Sequence, residues 1–318
     1  MKIFKEKKII ITGGTGFLGS NLSQLLDSKK IKHKCISSKD FDLKKYDQVE
    51  SMFRYHKPDY VFHLAAKVGG IMDNKNFKAD FYYNNILIDA NIFRMSSKYK
   101  IKKLITTAAG CGYPANISDN LKEKNIWDGY PHDASASFSL AKKMQIVQSK
   151  AYKEQYNLKS IVLIPSNAFG EYDNFNLEQS HVIPALIRKF SEAVRFKKDK
   201  VFVWGSREVY RDFIHISDIA EGLLIAATRY NDQQPLNLCT GKKTSIGEVV
   251  DILESVSGFS GKICWEKNKP KGQNTRTMSS SLQKKLLPQW KVKKTLKEGL
   301  SQTYSWFTKN YNSKFIRL

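Results

Sequence analysis

The run Thr12-Gly13-Gly14-Thr15-Gly16-Phe17-Leu18-Gly19 follows the apolar segment Ile9-Ile10-Ile11 and opens an amphipathic stretch. Three glycines at this spacing, between a strand and a helix, allow a tight turn and let a pyrophosphate approach the backbone. The helix N-terminus adds N–H donors and positive potential. Such a turn commits the chain to the first βα unit of a dinucleotide-binding sheet. Gly13, Thr15, Gly16, Phe17, Leu18 and Gly19 are therefore candidate cofactor contacts.

The rest of the chain agrees. Apolar runs at residues 8–12, 34–37, 60–64, 103–107 and 160–164 read as strands, and helices fit a segment starting at 17–26, then 85–99 and 139–156. This is an α/β fold, a doubly wound parallel sheet of the Rossmann kind. After Pro165 the pattern loosens: 167–176 is a polar loop, 182–196 looks helical and 200–204 looks like a strand. The expected organisation is a dinucleotide domain over 1–166, with returns to the sheet at 213–227 and 235–239, and a smaller C-terminal α/β substrate-binding lobe over 167–318.

A chain of 318 residues, 41% hydrophobic, can build one large core or a nucleotide domain with a smaller lobe. No apolar run approaches the ~20 residues that span a bilayer, and residues 1–12 are too short an apolar segment for a secretion signal, so no membrane partner is expected. Cys35, Cys111, Cys239 and Cys264 are widely spaced with no Cys-x-x-Cys pair, so neither disulfides nor a metal site is expected and a reducing cytoplasm fits. The net charge of +23 comes from lysines scattered through every segment, without an arginine-rich arm or a zinc finger. It reads as a solvated lysine-rich surface rather than a nucleic-acid site, and its field favours an anionic substrate.

A carboxylate at the end of the second strand would hold the ribose hydroxyls of NAD, whereas small and cationic residues leave room for a 2′-phosphate. Here Cys35-Ile36 is followed by Ser37, Ser38 and Lys39, with no acid before Asp40, which favours NADP. Asp42 either contacts the adenine edge or serves its own loop.

The glycine turn, His63-Leu64-Ala65-Ala66-Lys67-Val68-Gly69-Gly70, Asn85, Cys111-Gly112-Tyr113-Pro114, Asp173-Asn174-Phe175, Ser180-His181-Val182-Ile183-Pro184 and Val203-Trp204-Gly205-Ser206 occur together. In this combination, over about residues 8–278, the chain resembles the extended short-chain dehydrogenase/reductases, the NAD-dependent epimerase/dehydratase family, and within them the GDP-L-fucose synthase branch. The resemblance implies an NADP-dependent reductase of a GDP-4-keto-deoxy-sugar, hexose or heptose, with or without 3,5-epimerase activity, serving surface polysaccharide precursors. It implies a homodimer formed through the helices at 85–99 and 139–156. Leu64, Ala65, Ala66, Lys67, Pro165, Asn167 and His181 would join the glycine turn around the cofactor. Val68, Gly69, Asn167, Lys189, Trp204, Arg211 and Arg276 would surround the sugar nucleotide, with Lys189 and the arginines on its diphosphate.

The family's reduction uses a tyrosine that gives its proton to the C4 oxygen, a lysine one helical turn later that lowers the phenol pKa, and a Ser or Thr that orients the carbonyl. Lys142 matches the lysine. The tyrosine position carries Phe138 and the hydroxyl position Ala109, so neither can exchange a proton. Thr107 and Tyr113 are the local hydroxyls that could substitute. Cys111 and His181 match the acid/base pair that epimerises next to the ketone. The chain is thus expected to hold both ligands and reduce poorly, whether design or drift removed the two hydroxyls. The rivals are an NAD-dependent sugar-nucleotide 4-epimerase, 4-dehydrogenase or 4,6-dehydratase, and a ligand-binding pseudoenzyme.

Overall fold

The structure, a computed structural model, describes residues 2–269, 273–313 and 315–318. Ile9–Thr12 (β1), Phe17–Ser28 (α1), Lys34–Ile36 (β2), Tyr46–His56 (α2) and Tyr60–His63 (β3) form the first half of a sheet domain. Ile71–Asn76 (α3), Lys78–Lys98 (α4), Lys103–Thr107 (β4), Ala136–Tyr156 (α5) and Ser160–Pro165 (β5) continue it. Then come Asn167–Phe169 (β6), Val182–Arg195 (α6), Lys200–Trp204 (β7), Tyr210–Arg211 (β8), Phe213–His215 (β9), Ile216–Arg229 (α7) and Leu236–Leu238 (β10). Thr244–Ser245 (β11), Ile246–Ser257 (α8), Lys262–Glu266 (β12), Thr275–Arg276 (β13), Ser281–Leu286 (α9) and Leu296–Asn310 (α10) close the chain.

Six strands pair in the order β10-β5-β4-β3-β1-β2, every pair parallel. The winding reverses at β1, with β2 on one side and β3 on the other, so the loops after β1 and β3 open at the switch point where α/β sheets bind ligands. Both faces are covered, as a parallel sheet requires. The period of two sends Ile9 and Ile11 to α1 and α7, where they meet Leu22, Leu26 and Leu223, and sends Ile10 to the other face with Phe53, Ile92 and Phe93.

A separate core gathers Ile183, Ile187 and Phe190 of α6, Val249 and Leu253 of α8, Leu300 and Phe307 of α10, and Val201 and Val203 of β7. Strand β7 alternates buried and exposed residues, which leaves Phe202 and Trp204 on the outer side.

Three expectations need adjustment. The loop expected over 167–176 opens with β6, which pairs in parallel with β9. The helix expected from 85 begins at Lys78, because the inward-facing Phe81 precedes Asn85 by one turn on the same face. The expected sheet return at 213–227 does not form: Phe213–His215 pairs with β6 in its own ribbon, and the residues after it are α7, whose Ile219, Leu223 and Ala226 recur at helical spacing and pack on the sheet. The return at 235–239 is β10, parallel to β5.

Candidate active site

The glycine turn is packed too tightly for other residues. A Cβ on Gly19 would lie 2.1 Å from the Gly13 carbonyl oxygen, and one on Gly14 2.5 Å from Cys35 Cβ. Gly13 has φ +68°, and a Cβ there would lie 2.8 Å from the Ala65 backbone, so the turn rests on the Leu64–Ala65 segment that leaves β3. The first turn of α1 has no side-chain cap and no acidic residue. Its N–H groups and helix dipole suit a pyrophosphate, and this cradle fits a dinucleotide.

Beyond β2 the Ser37 N–H and hydroxyl donate to Asp40 Oδ2 at 2.8 and 2.7 Å, which hold that carboxyl below its usual range. Ser38 and Lys39 are exposed beside it. Asp42 serves its own loop: its Oδ1 accepts the Lys44 N–H at 3.1 Å.

Asn85 fixes the loop after β3. Its Oδ1 accepts the Lys67 N–H at 3.0 Å, and its Nδ2 donates to the Lys67 and Phe81 carbonyls. The exposed Lys67 ammonium then stands 5.6 Å from the Phe81 ring centre. Phe81 in turn meets Phe138 edge to face, centroids 6.1 Å apart. The position where the family pattern has a phenol is an apolar ring packed on another.

One turn on, Lys142 is buried and donates to both oxygens of Asp89 at 3.1 and 3.3 Å. Asp89 Oδ1 also lies 2.9 Å from His63 Nε2, and His63 Nδ1 lies 2.7 Å from the Thr12 hydroxyl. Burial lowers the His63 pKa against the raising pull of Asp89, so the imidazole is neutral. Its Nε2–H donates to Asp89 and its Nδ1 accepts from Thr12. Burial opposes ionisation of Asp89, yet the Lys142 charge and the His63 bond leave its pKa below the ordinary carboxylate value. Sequence reasoning missed Thr12, His63 and Asp89 as site residues. A signal existed, since Asn85 and Asp89 are polar at i, i+4 on an inward helix face.

Cys111 sits in the short turn Gly110–Gly112 after β4, beside the hydroxyls of Ser139 and Ser135. Ala109 precedes that turn in extended conformation. Arg276 clamps the segment, its guanidinium donating to the carbonyls of Tyr113, Pro114 and Ile117 at 2.7, 2.8 and 2.9 Å. Tyr113 is fully buried and donates its hydroxyl to Asn237 Oδ1 at 2.7 Å, and burial raises its pKa, so it does not replace the phenol missing at 138. Thr107 ends β4 half-buried.

His181 stands just before α6, and a Cβ on Gly70 would touch the Gln179 carbonyl at 2.9 Å, which places the loop after β3 against the His181 segment. Cys111 is half-buried and His181 exposed, although protein crowds both. Desolvation raises the Cys111 thiol and lowers the His181 imidazole. Near neutrality one is therefore a proton donor and the other an acceptor, the state from which acid/base exchange starts.

Beyond β7, Arg211 and Arg276 are register partners on the parallel strands β8 and β13. Burial and the Arg276 charge bring the Arg211 pKa down to about 10. Two cations held side by side favour an anion between them. Lys189 donates to the Phe202 carbonyl at 2.7 Å and lies 5.4 Å over the Trp204 ring. Asn167 is exposed and donates to the Asp212 carbonyl at 3.0 Å, while Pro165 faces Gly110. Ala66 is half-buried and Val68 is exposed on the rim. A Cβ on Gly69 would strike Asp73 at 2.6 Å. Among the described residues no cluster of His, Cys, Asp and Glu could hold a metal, and no helix is long and apolar enough to cross a membrane.

Comparison with known proteins matches residues 9–239 to the NAD dependent epimerase/dehydratase family. The chain is 34% identical over 311 residues to the putative GDP-L-fucose synthase 2 of Arabidopsis thaliana, covering 98% of this chain and 94% of that protein. It superposes with a TM-score of 0.91 and 30% identity on a GDP-L-fucose synthetase from Naegleria fowleri bound to NADP, over 98% of this chain and 95% of that one. A GDP-6-OMe-4-keto-L-xylo-heptose reductase from C. jejuni gives a TM-score of 0.89 at 28% identity, over 95% and 98% of the two chains.

Proposed function

The chain belongs to the NAD dependent epimerase/dehydratase family, and on that premise we propose that it is an NADP-dependent oxidoreductase of GDP-4-keto-deoxy-sugars, hexose or heptose, weakened in its C4 reduction. The observation that carries the reading is the near full-length likeness to GDP-L-fucose synthases, joined to a glycine cradle that admits no side chain.

In this reading residues 1–166, with β10, hold the cofactor and residues 167–318 the sugar nucleotide. The open N-terminus of α1 binds the pyrophosphate, Ser37, Ser38 and Lys39 take the 2′-phosphate, and Lys142 the nicotinamide ribose. Lys189 and Arg211, next to Arg276, meet the GDP diphosphate, and Trp204 the base or ribose. Arg276 also holds the Cys111 turn through its carbonyl bonds. NADPH, when bound, supplies the hydride for C4. His181 removes and Cys111 returns a proton α to the ketone, on opposite faces of the ring. Phe138 and Ala109 supply no proton and no carbonyl hydrogen bond, so the reduction proceeds without general acid help, typically worth 10²- to 10⁴-fold. The exposed Tyr82, Tyr83 and Val147 of α4 and α5 form the homodimer face.

The test is isotope exchange without reduction. With a GDP-4-keto-6-deoxy-sugar in deuterated water and no NADPH, deuterium should enter at C3 or C5; His181→Ala should abolish that entry and Cys111→Ala the inversion that accompanies it. A folded chain that binds GDP and NADPH and exchanges nothing has no epimerase step. A second reading, a pseudoenzyme that only binds ligands, draws on the edge-to-face Phe81–Phe138 contact and would give that result.

A further inference from the structure

Lys142 is the residue from which the family pattern leads one to expect a free ammonium beside a phenol, yet here it is bound on its other side. Its side chain is 4% exposed and that of Asp89 0%, and both oxygens of Asp89 face the ammonium within 3.3 Å. A buried ion pair of this kind repays its desolvation only when the remaining lone pairs are satisfied. Asp89 meets that condition through the fully buried His63, whose tautomer is set in turn by the Thr12 hydroxyl. The chain of contacts crosses four elements, from α5 through α4 and β3 to β1, and it ends on the residue directly before Gly13 of the glycine turn.

We propose that Asp89, aimed by His63 and Thr12, is a positioning residue for Lys142, fixing where its ammonium stands beside the cofactor and keeping it charged. The proposal rests on the reading that Lys142 faces the nicotinamide ribose. The charged and titratable groups packed around the ammonium are Asp89 from α4 and His63 from β3. Cys111, in the turn against α5, faces Ser139 instead. With Phe138 in place of a phenol, Asp89 is the anionic partner of this lysine, so deleting that charge acts on Lys142 directly. A buried ammonium without its anion loses its proton more readily. Asp89→Asn leaves the ammonium buried without its anion, so any loss of its contribution shows at the high end of the pH range.

The measurement is NADPH affinity by calorimetry from pH 7 to 9.5, on the full chain, Asp89→Asn, Lys142→Met and the double variant. The full chain should change by less than about threefold, whereas Asp89→Asn should lose at least about tenfold toward pH 9.5, one pKa unit being tenfold in the protonated fraction. The double variant should be weak and flat with pH, because the titrating group has gone. A profile in Asp89→Asn that parallels the full chain overturns the proposal. If Lys142→Met binds NADPH as well as the full chain at every pH, the placement of Lys142 at the cofactor fails instead, and the two failures are told apart. Should Asp89→Asn not fold, His63→Gln carries the test, since it keeps both charges but removes the imidazole that aims Asp89. It should weaken NADPH about three- to tenfold, and unchanged affinity would overturn the proposal.

Discussion

Gly19 faces the Gly13 carbonyl so closely that a methyl group would stand 2.1 Å from its oxygen. Gly19→Ala must therefore push the turn out of the shape that receives a pyrophosphate. NADPH affinity should drop at least about tenfold in calorimetry, a change of about 1.4 kcal/mol, while GDP affinity stays within about threefold. Asp173 gives a second residue-level test. Burial pushes its carboxyl up to about 7, and its Oδ2 is buried with no hydrogen-bond partner among the described residues while Oδ1 accepts the Asn174 N–H. The folded chain thus holds a proton between the ordinary carboxylate value and about 7 that the unfolded chain does not, and stability from this group is lost as pH rises through that window. Asp173→Asn keeps the Oδ1 acceptor and escapes the loss. Its melting temperature relative to the parent should rise from pH 4.5 to pH 8, by an amount corresponding to a few kcal/mol. A difference that is flat with pH would show that Asp173 is not the group titrating.

At the scale of elements, the Cys111 turn depends on a cation from far along the chain. Arg276 joins β13 to three carbonyls of residues 113–117, and hydrogen bonds to a charged group contribute about 1.5–3 kcal/mol each. Arg276→Met should destabilise the fold by at least about 2 kcal/mol in urea titration and speed the alkylation of Cys111 by iodoacetamide in the native chain. An unchanged alkylation rate would mean that the turn holds itself. This clamp marks the limit of what the sequence discloses. Strands β1, β3 and β4 and the glycine turn were legible because apolar runs and three glycines at fixed spacing are local signals. Cys111, Lys142 and His181 are site candidates through their motifs. Asp89 was not, since one carboxylate inside an amphipathic helix looks solvated until β3 brings His63 beneath it. The 213–227 segment misled for the same reason: a short apolar run does not reveal whether it will pair as a strand or cover a sheet as α7 does.

Across the whole molecule the sheet carries a core on each face and α6, α8, α10 and β7 a separate one, and the proposed function divides the two ligands between them. Each ligand should then stabilise the chain by itself. At a hundred times its dissociation constant, NADPH or GDP adds about 2.7 kcal/mol, which should appear as a rise of several degrees in the melting temperature. In the proposed function this scaffold lacks only two oxygens for C4 reduction. The direct measurement is NADPH oxidation with GDP-4-keto-6-deoxy-hexose and heptose substrates, before and after Phe138→Tyr is combined with Ala109→Ser. The expected result is a gain of about 10²-fold or more in kcat with NADPH and GDP affinities little changed, because the restored hydroxyls act on the transition state. A doubly substituted chain that binds both ligands and stays inert toward every such substrate would contradict it.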